Sequence, residues 1–250
     1  MTGDQDKMES KEKMEFQRLE ILIGKEKMRM LEEKHIAVFG LGGVGGYAAE
    51  ALARSGIGKL TLIDYDLIDV TNLNRQLIAL HSTVGKNKAE LFGERLRQIN
   101  PSIRLRVLPL KYTEENWRDF FTESFDYIVD AIDMVSSKIH LIVKADELGI
   151  PLISCMGMGN KMDPTRIQAV DIYKTHTCPL AKVMRRELKA RGIRRLKTVF
   201  SDEEPMKPLI SISSESKREV PGSTAFVPSA AGLVIASQIL RDFLLQEKRK

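Results

Sequence analysis

The segment His35-Ile36-Ala37-Val38-Phe39-Gly40-Leu41-Gly42-Gly43-Val44-Gly45 settles the architecture: a short apolar run closes on four closely spaced glycines. The run has the length of a buried strand. The residues after it, Gly43–Ser55, repeat apolar side chains at helical spacing through Val44, Ala48, Ala51 and Leu52. A glycine turn between a strand and a helix lets the backbone approach phosphate or ribose, and the helix start offers free N–H groups and partial positive charge to an anion. The strand before it and the helix after it are the context that makes the motif credible.

Further along the chain the same rhythm repeats. Lys59–Asp64 (KLTLID) reads as a second strand, Val84–Ile99 as a helix halted at Asn100-Pro101, and Arg104–Leu110 as a third strand. Phe125–Ile132 is a fourth strand, Val135–Leu148 a helix ending at Gly149, and Pro151–Met156 a fifth strand. This alternation predicts an α/β, Rossmann-like fold: a mostly parallel twisted sheet with helices on both faces. After residue 160 the pattern loosens. Ile167–Ile172 and Thr198–Ser201 are further strand candidates, extending the sheet by a smaller antiparallel portion, with a helix at Leu180–Ala190, a mobile loop at Asp202–Arg218 and a closing helix at Ala230–Gln246. Residues 1–34 alternate charge with Met8, Met14, Phe16, Leu19, Leu22, Met28 and Leu31, the signature of a helical arm. The expected organisation is an arm over 1–34 and a single domain over 35–250, divided into 35–157 and 158–250.

Composition narrows the classes. The chain has 250 residues, 43% hydrophobic and 29% charged, which suits a packed globular protein. Its two cysteines, Cys155 and Cys178, exclude a disulfide scaffold and any four-cysteine zinc site, and suit a reducing, cytoplasmic setting. Residues 1–34 hold eight Lys/Arg and nine Asp/Glu and lack the apolar core of a signal peptide. Gly222–Leu240 carries no charge, but Pro228, Gln238 and its many small residues fit a helix buried in the fold better than one inserted in a membrane.

Asp64 stands 19 residues beyond Gly45, the spacing at which a carboxylate reaches ribose hydroxyls. At this point a nicotinamide dinucleotide and ATP are both open. The next segment, Asp64-Tyr65-Asp66 followed by Asn72-Leu73-Asn74-Arg75-Gln76 and Lys88, favours ATP. A triphosphate undergoing cleavage needs cations such as Arg75 and Lys88 to meet the charge that develops as pyrophosphate leaves. Hydride transfer has no such need. Asp130 and Asp133, at the end of the fourth strand, offer carboxylates for Mg²⁺ on the phosphates.

Together the GxGGxG turn, the D-x-D-x-x-x-V-x-N-x-N-R-Q segment, the G-x-x-K-A helix start and the D-A-x-D strand end resemble the adenylyltransferases related to ubiquitin-activating enzymes, including those that activate sulfur carriers for thiamine and molybdopterin synthesis. The resemblance implies an ATP site of Gly40, Gly42, Gly43, Gly45, Asp64, Asp66, Asn72 and Gln76. It also implies phosphate contacts from Arg75 and Lys88, Mg²⁺ at Asp133, and an arginine supplied across a homodimer, here Arg18. The CxxC pairs of the zinc-bearing relatives are absent, so no zinc is expected.

The second half is more specific. Gly157-Met158-Gly159-Asn160-Lys161-Met162-Asp163-Pro164-Thr165, then Asp171 to Thr175 and Pro179-Leu180-Ala181, is similar to the bacterial tRNA threonylcarbamoyladenosine dehydratases. That family uses ATP to cyclise a modified base beside the tRNA anticodon, and the resemblance extends the expected partners to a cysteine desulfurase or sulfur-acceptor system. Charge supports a tRNA partner independently. Lys182, Arg185, Arg186, Lys189, Arg191, Arg194, Arg195 and Lys197 stand against one acid, Glu187, a local +7 in a chain whose total is +5, so the remainder sits at −2. Such a cluster attracts a phosphate backbone. The alternatives are adenylation of the C-terminus of a ubiquitin-like sulfur carrier and, from another class, an NAD-binding redox protein.

Overall fold

The computed structural model describes residues 14–210 and 220–245. Met8, the end of the expected loop at 211–218, and Gln246 lie outside the described residues. The chain folds as α1 (Gln17–Ile23), α2 (Lys25–Glu33), β1 (His35–Phe39), α3 (Gly45–Arg54), β2 (Lys59–Ile63), α4 (Lys88–Ile99), β3 (Arg104–Leu108), β4 (Tyr127–Asp130), α5 (Val135–Glu147), β5 (Leu152–Cys155), β6 (Ile167–Asp171), α6 (Pro179–Ala190), β7 (Lys197–Ser201) and α7 (Phe226–Leu245). Short 3₁₀ turns punctuate the loops.

Seven strands form one sheet in the order β3-β2-β1-β4-β5-β7-β6. All neighbours are parallel except β6 and β7, whose antiparallel pairing runs from Ile167 opposite Ser201 to Asp171 opposite Lys197. The central strands are buried along their whole length, as a sheet covered on both faces requires. One apolar cluster fills the side of α3, α4 and α7, with Leu41, Leu52, Phe92 and Ile235 among its members. A second fills the side of α5 and α6, with Phe39, Phe120, Met184 and Phe200.

Three departures from the expected boundaries are the largest; the rest are of one or two residues. The arm is not one helix: Gly24, with φ +85°, separates α1 from α2. The helix expected from Val84 begins at Lys88, because the Asn87 side chain caps it by accepting from the Glu90 amide. The closing helix begins four residues early, at Phe226, since Pro228 sits in its first turn, where proline costs no hydrogen bond.

α7 is long and apolar enough to cross a membrane by length and composition. Here it lies on the sheet and against α3, with Val227, Ala231, Ile235, Ala236 and Ile239 buried. A side chain at Gly232 would meet the Val44 carbonyl oxygen at 2.3 Å, so small residues at this crossing let the two helices touch backbone to backbone.

Candidate nucleotide site

The loops after β1, β2, β3 and β4 open at the carboxyl edge of the sheet, where the strand order reverses about β1 and β4. Open α/β sheets bind ligands at such a reversal. The loops enclose a cavity of about 330 Å³ lined by Gly40, Gly42 and Gly43, by Asp64 to Asp66, by Asn72, Arg75, Gln76 and Lys88, by Lys111 and Tyr112, and by Ala131 to Met134.

The glycine turn is forced by proximity. Gly40 has φ +87°, and a Cβ there would stand 2.6 Å from the Ala131 carbonyl oxygen. A Cβ on Gly45 would stand 1.8 Å from the Gly40 carbonyl oxygen. These two glycines close the turn against the β4 loop, while Gly42 and Gly43 present it to the cavity. Gly46, outside the sequence motif, has the same steric logic: its Cβ would meet the Phe92 ring at 2.4 Å.

Asp64 fastens the turn from the next strand. One carboxylate oxygen accepts from the Leu41 amide at 2.7 Å and the other from the Asp66 amide at 2.8 Å. Burial raises its pKa, and those amides and Lys88 offset only part of the rise. Asp66 receives the Lys88 ammonium at 2.9 Å, which places a buried lysine at the start of α4 and at the cavity wall. Asn72 holds its own loop by accepting from the Asp69 amide. The Arg75 guanidinium donates to the Thr71 carbonyl at 2.8 Å and to the Asn74 side chain at 3.0 Å. Burial lowers its pKa.

Gln76 is the informative exception. It is buried and lines the cavity, and its Oε1 is the one buried side-chain oxygen or nitrogen without a hydrogen-bond partner among the described residues. An unmatched buried polar atom costs about 1–3 kcal/mol and calls for an explanation. Turned over, the amide would present a donor there instead.

The two aspartates of the β4 end separate cleanly. Asp130 is fully buried, accepts from Lys138 at 2.8 Å and Ser154 at 2.6 Å, and takes the Ile132 amide with its other oxygen. Its charge is committed to the interior. Asp133 is exposed and lines the cavity. No group of three or more His, Cys, Asp or Glu able to cage a metal exists among the described residues. A single carboxylate beside triphosphate oxygens is the donor set Mg²⁺ uses in nucleotide sites, so Asp133 fits that ion.

Arg18 is exposed on α1 and is not part of the cavity wall of its own chain. Tyr65, Lys111, Tyr112, Met134 and Ser137 line the cavity although no sequence motif marks them as site residues. Lys111 and Tyr112 were findable, because they come after β3 at the carboxyl edge, where any such loop faces the ligand.

The basic segment runs along α6 and into β7. Lys182, Arg186, Lys189, Arg191, Arg194 and Arg195 are exposed. Arg185 instead donates to the Thr175 carbonyl and hydroxyl, and Lys197 is paired with Asp242 at 2.7 Å. Arg186 and Arg191 share Glu187. Both thiols are buried: burial pushes Cys155 up to about 12, and Cys178 stands at the N-cap position of α6 with no side-chain hydrogen bond to the helix.

Comparison with known proteins adds a family. The ThiF family profile matches residues 16–249. The tRNA threonylcarbamoyladenosine dehydratase of Bacillus subtilis is 46% identical, with 92% of this chain and 94% of that one aligned. Two crystal structures of the Escherichia coli tRNA N6-threonylcarbamoyladenosine dehydratase, one in complex with ATP and one with AMP, are 37% identical over 94% of this chain and 96% of theirs, with TM-scores of 0.85 and 0.86.

Proposed function

The chain belongs to the ThiF family, and on that basis we propose that it is an ATP-dependent tRNA threonylcarbamoyladenosine dehydratase. One observation carries the reading: Arg75, Lys88, Asp133 and the unmatched Gln76 amide converge on one cavity beside the glycine turn. One relative that shares this architecture, the Escherichia coli tRNA N6-threonylcarbamoyladenosine dehydratase, is solved with ATP and with AMP.

The proposed reaction has two steps. The threonyl carboxylate attacks the α-phosphate of ATP, forming a C(O)–O–P linkage and releasing pyrophosphate. An atom of the neighbouring carbamoyl group then attacks the activated carbonyl carbon, closing a ring and expelling AMP. The base loses one water overall, and that water's oxygen leaves on AMP. No protein nucleophile is required, in keeping with two buried thiols.

The protein's tasks are orientation and charge. The Gly42–Gly43 turn and the start of α3 receive the phosphates. Asp64 and Asp66 face the ribose, and Asn72 and Gln76 line the path of the phosphate chain. Arg75 and Lys88 stabilise the departing pyrophosphate. Asp133 would hold Mg²⁺, which when bound shields the triphosphate charge from the incoming carboxylate. Arg18 serves the partner protomer of a homodimer, the basic face of α6 meets the tRNA backbone, and the reaction runs in the cytoplasm. A desulfurase or sulfur-acceptor system completes the set of proposed partners.

Incubation with threonylcarbamoyladenosine-bearing tRNA and ATP·Mg²⁺, followed by mass spectrometry of the nucleosides, tests the reading. The expected product is one water lighter and appears with stoichiometric AMP. Unchanged nucleosides together with pyrophosphate exchange driven by a ubiquitin-like sulfur carrier would move the chain to the carrier-activating branch.

A further inference from the structure

A strap after residue 219 joins the two halves of the molecule. On one side it is clasped by Asn160: the Asn160 amide donates to the Gly222 carbonyl at 2.7 Å, and the Gly222 amide donates to the Asn160 Oδ1 at 2.6 Å. Asn160 adopts φ +59°, a left-handed conformation that asparagine tolerates. Its carbonyl also takes the Met206 amide, so one residue gathers both flanks of the 207–219 segment. Gly159 lies under the strap, where a Cβ would meet Pro221 at 2.9 Å.

On the other side the strap is held by a residue of the nucleotide half. The Asn74 Nδ2 donates to the Ser223 carbonyl at 3.0 Å. Asn74 also accepts, through Oδ1, from the Arg75 guanidinium at 3.0 Å. One amide thus holds the strap with its nitrogen and the phosphate-facing arginine with its oxygen. The strap leads directly into α7, whose Pro228 lies 3.2 Å from where a Gly43 Cβ would stand, with the Arg75 side chain at 3.5 Å from the same point. The strap, the arginine and the glycine turn therefore share one packing locus.

We propose that Asn74 is a positioning residue that couples Arg75 to the second half of the chain through the Pro221–Thr224 strap. The inference rests on the ATP reading above. It assigns to the amide of Asn74 a task that neither the phosphates nor the tRNA demands by itself. Engagement of Arg75 by nucleotide changes the pull on Asn74 and so the order of the strap and its Asn160 clasp. Reciprocally, whatever occupies the second half biases Arg75.

Hydrogen exchange on the full chain, with and without ATP·Mg²⁺, tests this without needing tRNA. In the wild type, nucleotide is expected to slow exchange at residues 40–46 and also at 157–163 and 220–228. Asn74→Ala is expected to keep the slowing at 40–46 and lose it in the two distant segments. Asn74→Asp, which still accepts from Arg75 but cannot donate to Ser223, should lose it equally. With modified tRNA, both variants should lower kcat roughly tenfold while the KM for ATP moves less than about twofold. Asn160→Gly, which keeps the backbone conformation, should add nothing further in the double variant with Asn74→Ala.

Slowing at 40–46 without slowing in the distant segments of the wild type overturns the coupling alone. So does distant slowing that survives Asn74→Ala. Slowing nowhere overturns the ATP reading and the coupling with it.

Discussion

The cations around the nucleotide cavity and the cations along α6 are the same residue types under opposite rules. Near the cavity three are fixed by polar partners, Lys138 to Asp130, Lys88 to Asp66, and Arg75 to a carbonyl and the Asn74 side chain, while Lys111 lies over the Tyr65 ring. Along α6 and the turn after it, Lys182, Lys189, Arg194 and Arg195 form no ion pair with a described residue and stand in solvent. Fixed charge suits a transition state, because its geometry is settled before reaction and needs no reorganisation. Displayed charge suits a long polyanion, which requires many loose contacts and supplies its own order.

The contrast is tested hardest at the buried pair. Lys138→Met removes the ammonium partner of Asp130 at zero exposure, and urea unfolding should show a loss of about 3–5 kcal/mol. Replacing both partners by apolar residues should recover most of that stability, yet leave the Ile132 amide without its acceptor beside Asp133.

Next comes Arg75→Ala. It should lower ATP-dependent cyclisation by about 10²–10³-fold, with the melting temperature shifted by no more than a few degrees, measured by nucleoside mass spectrometry and a thermal scan. Retention of full activity would remove the fixed-charge half of the contrast.

A triple variant, Lys182, Arg194 and Arg195 each to Ala, addresses the other half. The KM for tRNA should rise roughly tenfold with kcat preserved, and the slope of log KM against log salt should fall by roughly one per cation removed. A change in kcat instead would mean that these cations are fixed after all.

The thiols should matter least. Cys155→Ala and Cys178→Ala should each retain activity within a few-fold, and the native protein should resist maleimide at pH 8, since burial holds the Cys155 thiol near pKa 12.

Legibility in the sequence divides along the same line. The parallel sheet, the glycine turn and the place of Asp64 after β2 at the cavity wall are legible because steric and spacing rules leave few alternatives there. The antiparallel pairing of β6 and β7 was legible in outline from the broken rhythm after residue 160. The separate fates of Asp130 and Asp133 were not, because only the fold brings Lys138 and Ser154 to the first. Nor did the run of eight cations reveal that Arg185 and Lys197 are bound internally, since their partners, Thr175 and Asp242, lie in other elements. Tyr112 is illegible for a related reason: it carries no motif, only a place after an edge strand.

The pairing of β1 with β4 also sets an order of events in folding. The His35 amide meets the Asp126 carboxylate across 91 residues of chain, and the Ala131 carbonyl that shapes the Gly40 turn arrives by the same closure. Closing so long a loop is slow relative to forming α3 or α4. The glycine fingerprint therefore exists in the chain well before the cavity does. An ATP analogue added during refolding should report the β1–β4 closure rather than the first appearance of helix, and so serve as a clock for the late half of folding.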